Sequence, residues 1–482
     1  MLKFKICFAV TEVQGLIKSG GLADVARALP KALAELGHEL SIFLPGYSKT
    51  LGYQESEEIL STHLDYWPHT PYKIKKQFLE EVPVYLIEAP QYYDRDELYA
   101  ENNIAYTDNG ERFAFFSAAV LDAIPKLGIT PDIVHANDWH TGLIPFLLKS
   151  RYKNHHELSH VKSVLTVHNA IFQGVFPLKE LEVIPELKCE GEKALVSPTH
   201  VGMLKAGLVY ADKINAVSPN YALELRTHLG SHGLAEEFNK RADDLSGILN
   251  GCDYSEWNPR TDSYLPLTYS NDTDSMQKGK HAARKLLLEE AGLKENDGPV
   301  FGMVCRLSHQ KGFGYILPIL EHFLANDVRL IILGTGDSNI AQSLRDVERH
   351  HNEKFCFVEA YSNRLAHIVE AGSDFFLMPS EYEACGLSQI YSMAYGTLPI
   401  VREVGGLKDT VIDIDVHPDR ATGFSFHYPI AKDLLMKLQR AVIYYYQSRD
   451  EMLRVQKRAM EQDFSWKCSA EKYVEMYRTT QT

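Results

Sequence analysis

The chain has no run of 18 apolar residues, no C-x-x-C pair and no surplus of positive charge. The first absence argues against a membrane-spanning helix, which needs about 20 apolar residues to cross the hydrocarbon core. The second concerns the seven cysteines, Cys7, Cys189, Cys252, Cys305, Cys356, Cys385 and Cys468. They are scattered and odd in number, which argues against a structural zinc site or a disulfide framework. Reduced thiols in a cytoplasmic protein are the expectation. The third absence is a formal net charge of −14, which argues against nucleic acid as the main partner. A neutral polymer remains compatible, and a local basic pocket is not excluded. Gly334-Thr335-Gly336 lacks the third glycine of a dinucleotide fingerprint, so an NAD enzyme is disfavoured. There is no internal repeat at solenoid spacing and no low-complexity tract. The N-terminal apolar run is too short for a secretory signal and meets Glu12 at once.

The chain does have 482 residues, 45% of them apolar and 24% charged, the balance of a globular protein too long for one ordinary core. Residues 4–10 predict a buried strand. Leu22, Val25, Ala26, Leu29, Leu33 and Leu36 then trace one helical face. Gly37 is the expected cap of that helix, and Pro30 is expected to bend or break it. Residues 40–44 complete a βαβ unit of the parallel-sheet kind. Further strands are predicted at 133–135, 163–167 and 214–217. Residues 55–109 read as a less regular, Tyr-rich insertion, and residues 251–271 as a linker. A second α/β half follows, with strands predicted at 300–304, 329–333, 354–358, 375–378 and 398–401. A last helix from about Ser465 places Trp466, Ala470, Tyr473 and Tyr477 on one face. The expected domains are 1–253, 254–462 and a closing helix, 463–482.

In open parallel sheets, ligands lie beyond the carboxyl ends of the strands, so polar residues there are candidates for chemistry. Lys18-Ser19-Gly20-Gly21 opens the first helix, where free backbone N–H groups and the positive dipole end suit phosphate. Cys385-Gly386-Leu387-Ser388 sits at a second such mouth. Arg306 and Lys311 follow the 300–304 strand and read either as a diphosphate clamp or as a solvated pair on a loop. Glu383 reads as a sugar-facing carboxylate or as a helix-start residue satisfying the macrodipole. His168 with Asn169 reads as a hydroxyl-binding pair or as a structural histidine. His135, Asp138 and His140 share an H-x-x-D-x-H spacing, but they leave a strand in extended form rather than on one helical face, which disfavours a metal site. The triplets Asp94-Arg-Asp96, Asp272-Thr-Asp274 and Asp413-Ile-Asp415 fit chance in an acidic chain.

Taken in order, these motifs resemble the bacterial glycogen synthase and plant starch synthase family over nearly the whole chain. The resemblance rests on Lys18-Ser-Gly-Gly-Leu-Ala-Asp24, Tyr106-Thr-Asp-Asn109, His135-Ala-Asn-Asp-Trp-His140 and Thr166-Val-His-Asn169. It extends through Gly247-Ile-Leu-Asn-Gly-Cys-Asp253, Arg306-Leu-Ser-His-Gln-Lys-Gly312, Glu383-Ala-Cys-Gly-Leu387, Tyr395-Gly-Thr-Leu-Pro399 and Asp463-Phe-Ser-Trp466. It implies a GT-B fold: two Rossmann-like, doubly wound α/β domains with the donor in the cleft, and a closing helix that crosses back to the first domain.

The implied reaction is retaining, metal-independent glucose transfer from ADP-glucose to the non-reducing end of an α-1,4-glucan such as glycogen, with no cofactor and no PLP. By matched position, Lys18, Gly20, Gly21 and Asp24 would serve the donor side. Arg306 and Lys311 would stabilise the departing ADP, and Glu383 would sit near the transferred glucose. His168 would bond its hydroxyls, and Asp138 would help place donor or acceptor. Asn250, Cys385, Gly386, Leu387 and Ser388 would line the substrate, and Tyr361 would lie near the adenine. The chain departs from the family's usual pattern at Gly15, Ser19, Ala384 and Val404. A UDP-glucose-dependent synthase and a catalytically inactive glucan-binding scaffold are the competing expectations. The scaffold predicts loss of Lys18, Arg306, Lys311 or Glu383, and all four are present.

Overall fold

The computed structural model describes residues 3–67, 70–101 and 104–481. The chain divides into two units, Met1–Gly251 with Trp466–Thr482, and Cys252–Ser465. The breaks thus fall after Gly251 and after Ser465.

In the first unit, Lys5–Ala9 (β1) is buried from Ile6 onward, as a strand covered on both faces requires. Gly21–Glu35 (α1) follows, with Leu22, Val25, Ala26, Leu29 and Leu33 on its buried face. Pro30 does not break it: α1 continues through the proline, which is itself buried. Its apolar face packs into a core with Trp466, Ala470, Tyr473 and Tyr477 of the closing helix, Trp466–Thr479. That burial outweighs the roughly 3 kcal/mol that an interior proline costs. Gly37, at φ +92°, ends the helix. The Gly37 amide donates to the Ala34 carbonyl (2.8 Å) and the His38 amide to the Leu33 carbonyl (3.1 Å), a Schellman closure that a left-handed glycine permits.

Glu39–Pro45 (β2) pairs parallel with β1. Residues 55–109 are not an irregular insertion. They contribute Glu57–His63 (β3), Pro71–Leu79 (β4) and Val82–Glu88 (β5) to the main sheet. Lysines alternate with buried Tyr72 and Ile74 along β4, the mark of a strand with one wet face. Ile133–Asn137 (β6), Lys162–Val167 (β7), Lys213–Ala216 (β8) and Leu245–Gly247 (β9) complete the sheet. The order is β9-β8-β7-β6-β1-β2-β5-β4-β3. It is parallel from β9 to β5 and antiparallel across β5-β4-β3. The chain steps from β1 to β2 on one side and returns with β6 on the other, so the switch point lies between β1 and β6.

In the second unit the strands are Val300–Val304 (β10), Arg329–Leu333 (β11), Phe355–Val358 (β12), Phe375–Met378 (β13), Leu398–Arg402 (β14) and Phe424–Phe426 (β15). All pair parallel in the order β12-β11-β10-β13-β14-β15, the doubly wound dinucleotide-fold arrangement. The short β15 was not among the predicted strands. The switch point lies between β10 and β13. Among the described residues, no helix is long and apolar enough to cross a membrane.

Candidate active site

Each sheet's switch point carries sequence-predicted residues. In the second unit, Arg306 and Lys311 follow β10 and Glu383 follows β13. Lys311 Nζ donates to Glu383 Oε2 at 2.5 Å, and Ser380 Oγ donates to the same oxygen at 3.1 Å. Burial works against the Lys311 charge, but the Glu383 carboxylate overcomes it and raises the lysine's pKa. Lys311 is therefore a firmly held cation. Arg306 is exposed and has no ion pair or hydrogen bond among the described residues.

The Glu383 loop is fastened from two sides. The Gln310 carbonyl accepts from the Glu381 amide at 2.8 Å, and Gln310 Nε2 donates to the Tyr382 carbonyl at 3.2 Å. From the other side, Arg402 Nε donates to the Ser380 carbonyl at 2.9 Å, and its Nη2 bonds the Glu381 carbonyl. Gly405–Thr410, which follows β14, approaches so closely that a Cβ on Gly405 would lie 1.8 Å from the Glu383 carbonyl oxygen. A Cβ on Gly406 would lie 2.2 Å from that of Cys385.

Cys385 is buried, and Gly386 turns at φ +73° into the helix Ser388–Ala394, with Leu387 at its cap. Gln389 Nε2 staples that turn by donating to the Cys385 and Gly386 carbonyls at 3.1 and 3.0 Å. Tyr361, beyond the carboxyl end of β12, is 87% exposed. Gln310, Gln389, Arg402 and the glycine pair support the site yet were not singled out. Only Gly405-Gly406 carries a visible sequence signal.

In the first unit, Lys18 Nζ pairs with Asp24 Oδ1 at 2.6 Å, and both are partly exposed. The expectation of free loop amides is corrected here. The Ser19 and Gly20 amides both donate to Glu12 Oε2, at 2.6 and 2.8 Å. Gly21 begins α1, is exposed, and has nothing within 4 Å of a built Cβ. Glu12 was legible by the same strand-end rule, since it lies just past β1.

Asp138, just beyond β6, holds φ +55°, unusual for a residue with a side chain. Its Oδ1 accepts the His168 amide at 2.7 Å and, weakly, the Asn169 amide at 3.4 Å. Burial lifts its carboxyl to about 7 against those donations, and Glu12 adds to the rise. His168 is pushed down to about 3 by burial and is a neutral imidazole. One ring nitrogen meets Asn137 Oδ1 at 3.0 Å, which leaves the other for a hydroxyl.

His135 is committed elsewhere. Its ring bridges the Tyr477 hydroxyl and Thr166 Oγ1, each at 2.7 Å. His140 stacks on Trp139 with ring centroids 4.0 Å apart. Among the described residues no group of three His, Cys, Asp or Glu side chains is disposed to hold a metal ion. Asn250 is buried, with its Oδ1 unpartnered. The acidic triplets are structural: Asp272 caps the helix Thr273–Glu290, Asp96 pairs with Lys49, and Asp413 and Asp415 pair with Lys437.

The raised Asp138 carboxyl has a consequence for stability. The folded protein keeps a proton that the unfolded chain releases near pH 4, so stability falls as pH rises from about 4 to about 7 and levels off above. Asp138→Asn keeps the accepting oxygen but cannot ionise. Its melting temperature should therefore rise relative to the parent between pH 5 and pH 8. A constant difference across that range would show that Asp138 ionises normally.

Two doubly wound α/β units, with paired ionic residues at the carboxyl ends of their central strands, define a glycosyltransferase of the GT-B fold. A model of the starch synthase catalytic domain matches residues 5–240, and one of group 1 glycosyl transferases matches residues 287–458. The glycogen synthases of Vibrio cholerae serotype O1 and Vibrio vulnificus are similar along the whole chain. The first is 61% identical over 479 residues, 99% of each chain, and the second 60% over 475 residues, 98% of each. The catalytic domain of starch synthase IV from Arabidopsis thaliana, solved with ADP and acarbose bound, is 30% identical, with a TM-score of 0.88 and full coverage of both chains. A sucrose-phosphate synthase from Thermosynechococcus elongatus shares the fold at 18% identity and a TM-score of 0.62. The chain belongs to the glycogen synthase and starch synthase family.

Proposed function

We propose that this enzyme transfers glucose from ADP-glucose to the non-reducing 4-hydroxyl of an α-1,4-glucan, with retention, in glycogen synthesis. The observation that carries the chemistry is the Lys311–Glu383 pair beside Arg306, which has no ion pair among the described residues. Departure of a nucleoside diphosphate builds negative charge on its terminal phosphate, and two cations at one strand end answer that charge. They do so without a metal, so the reaction is proposed to be metal-independent and to need no cofactor.

Glu383 supplies a carboxylate for the positive character that grows on the glucosyl carbon. Neutral His168 bonds sugar hydroxyls, and Asp138 orders the His168-Asn169 backbone. Lys18 and the Gly20-Gly21 loop serve the donor diphosphate, and Tyr361 the base. The Cys385–Ser388 turn contributes backbone amides to sugar and phosphate oxygens. With no second carboxylate assigned across the sugar, the acceptor attacks from the side the phosphate leaves, and that phosphate takes the acceptor's proton. The choice of ADP-glucose is supported by the family and by the ADP held in the starch synthase IV structure.

The test is glucose incorporation into glycogen from ADP-glucose and UDP-glucose at equal concentration, with and without chelator. Faster incorporation from ADP-glucose, unaffected by chelator, is expected. Preference for UDP-glucose overturns the donor. Inhibition by chelator that added metal reverses overturns the metal-free mechanism. No incorporation from either donor points to an inactive scaffold.

A further inference from the structure

Glu12 is 3% exposed and has no cation beside it among the described residues. A buried carboxylate without a counter-charge is costly unless hydrogen bonds hold it. Here those bonds come from the loop that the proposed function assigns to the donor. Oε2 accepts the Ser19 amide at 2.6 Å and the Gly20 amide at 2.8 Å. Ser19 Oγ lies 3.2 Å from each carboxylate oxygen. Tyr99 OH donates to Oε1 at 3.2 Å and lies 2.7 Å from Thr11 Oγ1. The intervening turn is closed by reciprocal Val13 and Ile17 backbone bonds of 2.9 Å, and the Gln14 amide donates to the Ala23 carbonyl at 2.9 Å. The carboxylate thus anchors the rear of the loop, while Lys18 and Gly21 remain exposed. Gly21 opens α1, and of that first turn the Ala23 amide already bonds the Gly20 carbonyl at 3.3 Å.

We propose that Glu12 is a positioning residue for the transfer reaction: by holding the Ser19 and Gly20 amides from behind, it presents Lys18 and the first turn of α1 to the donor's diphosphate. The inference rests on the proposed donor role of this loop. It concerns shape rather than charge, and the two are separable. A glutamine can place its amide oxygen where Oε2 stands and accept both backbone amides. Its NH2 then faces the Ser19 and Tyr99 hydroxyls, which can accept.

The experiment measures KM for ADP-glucose, KM for glycogen and kcat in Glu12→Ala, Glu12→Gln and Lys18→Ala, with melting temperatures. Glu12→Ala should raise the donor KM by about tenfold or more, the loss expected for hydrogen bonds to a charged group. The glycogen KM should move little, and Glu12→Gln should recover most of the loss. If Glu12→Ala melts too early to assay, Glu12→Asp, one methylene too short to reach both amides, replaces it with the same expectation. A donor KM at the parent value in the folded alanine or aspartate variant overturns the proposal. So does a glutamine variant as impaired as the alanine one, because charge would then be what matters. Lys18→Ala separates the two readings. If it raises the donor KM while Glu12→Ala does not, the loop keeps its donor role and only the Glu12 inference fails. If Lys18→Ala leaves the donor KM unchanged, the donor role fails, and the inference with it.

Discussion

Lys311→Ala is expected to lower kcat by about 10²–10³-fold, the usual loss when one preorganised charge stabiliser is removed. Lys311 is the only side chain that places a full positive charge in contact with Glu383 among the described residues, at 2.5 Å. The substitution acts twice. It removes a cation from the leaving diphosphate, and it releases Glu383 to the Ser380 hydroxyl alone. Binding of the glucan should change less than turnover, because both effects fall where charge develops in the transition state. The measurement is kcat and both KM values on a variant whose melting curve shows it folded. Turnover near the parent's in such a variant would remove Lys311 from the leaving-group role.

Gly405→Ala is expected to reduce kcat by roughly 10²-fold, the scale of a 1 Å misplacement of a reacting group. The added Cβ would lie 1.8 Å from the Glu383 carbonyl oxygen, and Gly405 holds φ +42°. Neither conflict can be relieved by turning a flexible side chain, since the atom in the way is backbone. The Glu383 loop must shift, although no residue with a chemical role has been changed. Gly314→Ala is the matched control: Gly314 is exposed and has nothing within 4 Å of a built Cβ. Near-parent turnover in Gly405→Ala would show that the loop tolerates displacement and that Glu383 needs no such support.

Much of the fold could be read directly. β1, α1, β2 and five strands of the second unit follow from continuous apolar runs and from one apolar helical face. The strand-end rule pointed to Asp138, His168, Arg306, Lys311 and Glu383, and each lies beyond the carboxyl end of a strand. It failed where the pattern was diluted. In β4 the lysines on the wet face hid Tyr72 and Ile74, and a sheet extension read as a less regular insertion. Pro30 predicted a break, but local cost yielded to the apolar face around it. The supports of the Glu383 loop were illegible for a different reason. Gln310 and Arg402 reach it from neighbouring strand ends 72 and 22 residues away, and nothing in a single sequence marks a hydrogen bond across such a distance. Glu12 was missed because acidic residues after a strand were not weighed as anchors for the loop that follows.

The closing helix has a consequence for synthesis on the ribosome. Its tryptophan and tyrosines complete the core around α1, and Ser469 and Tyr473 bond Leu249 and Asn215. The first unit is therefore written in two pieces, with the whole of Cys252–Ser465 between them. At about 5–20 residues per second, the emerging chain waits on the order of ten to forty seconds for that helix. Throughout that interval the first unit lacks the side chains of the closing helix that pack against the apolar face of α1. The core of the first unit is thus completed only by the last residues translated, and a chain truncated before Trp466 leaves the apolar face of α1 without its cover.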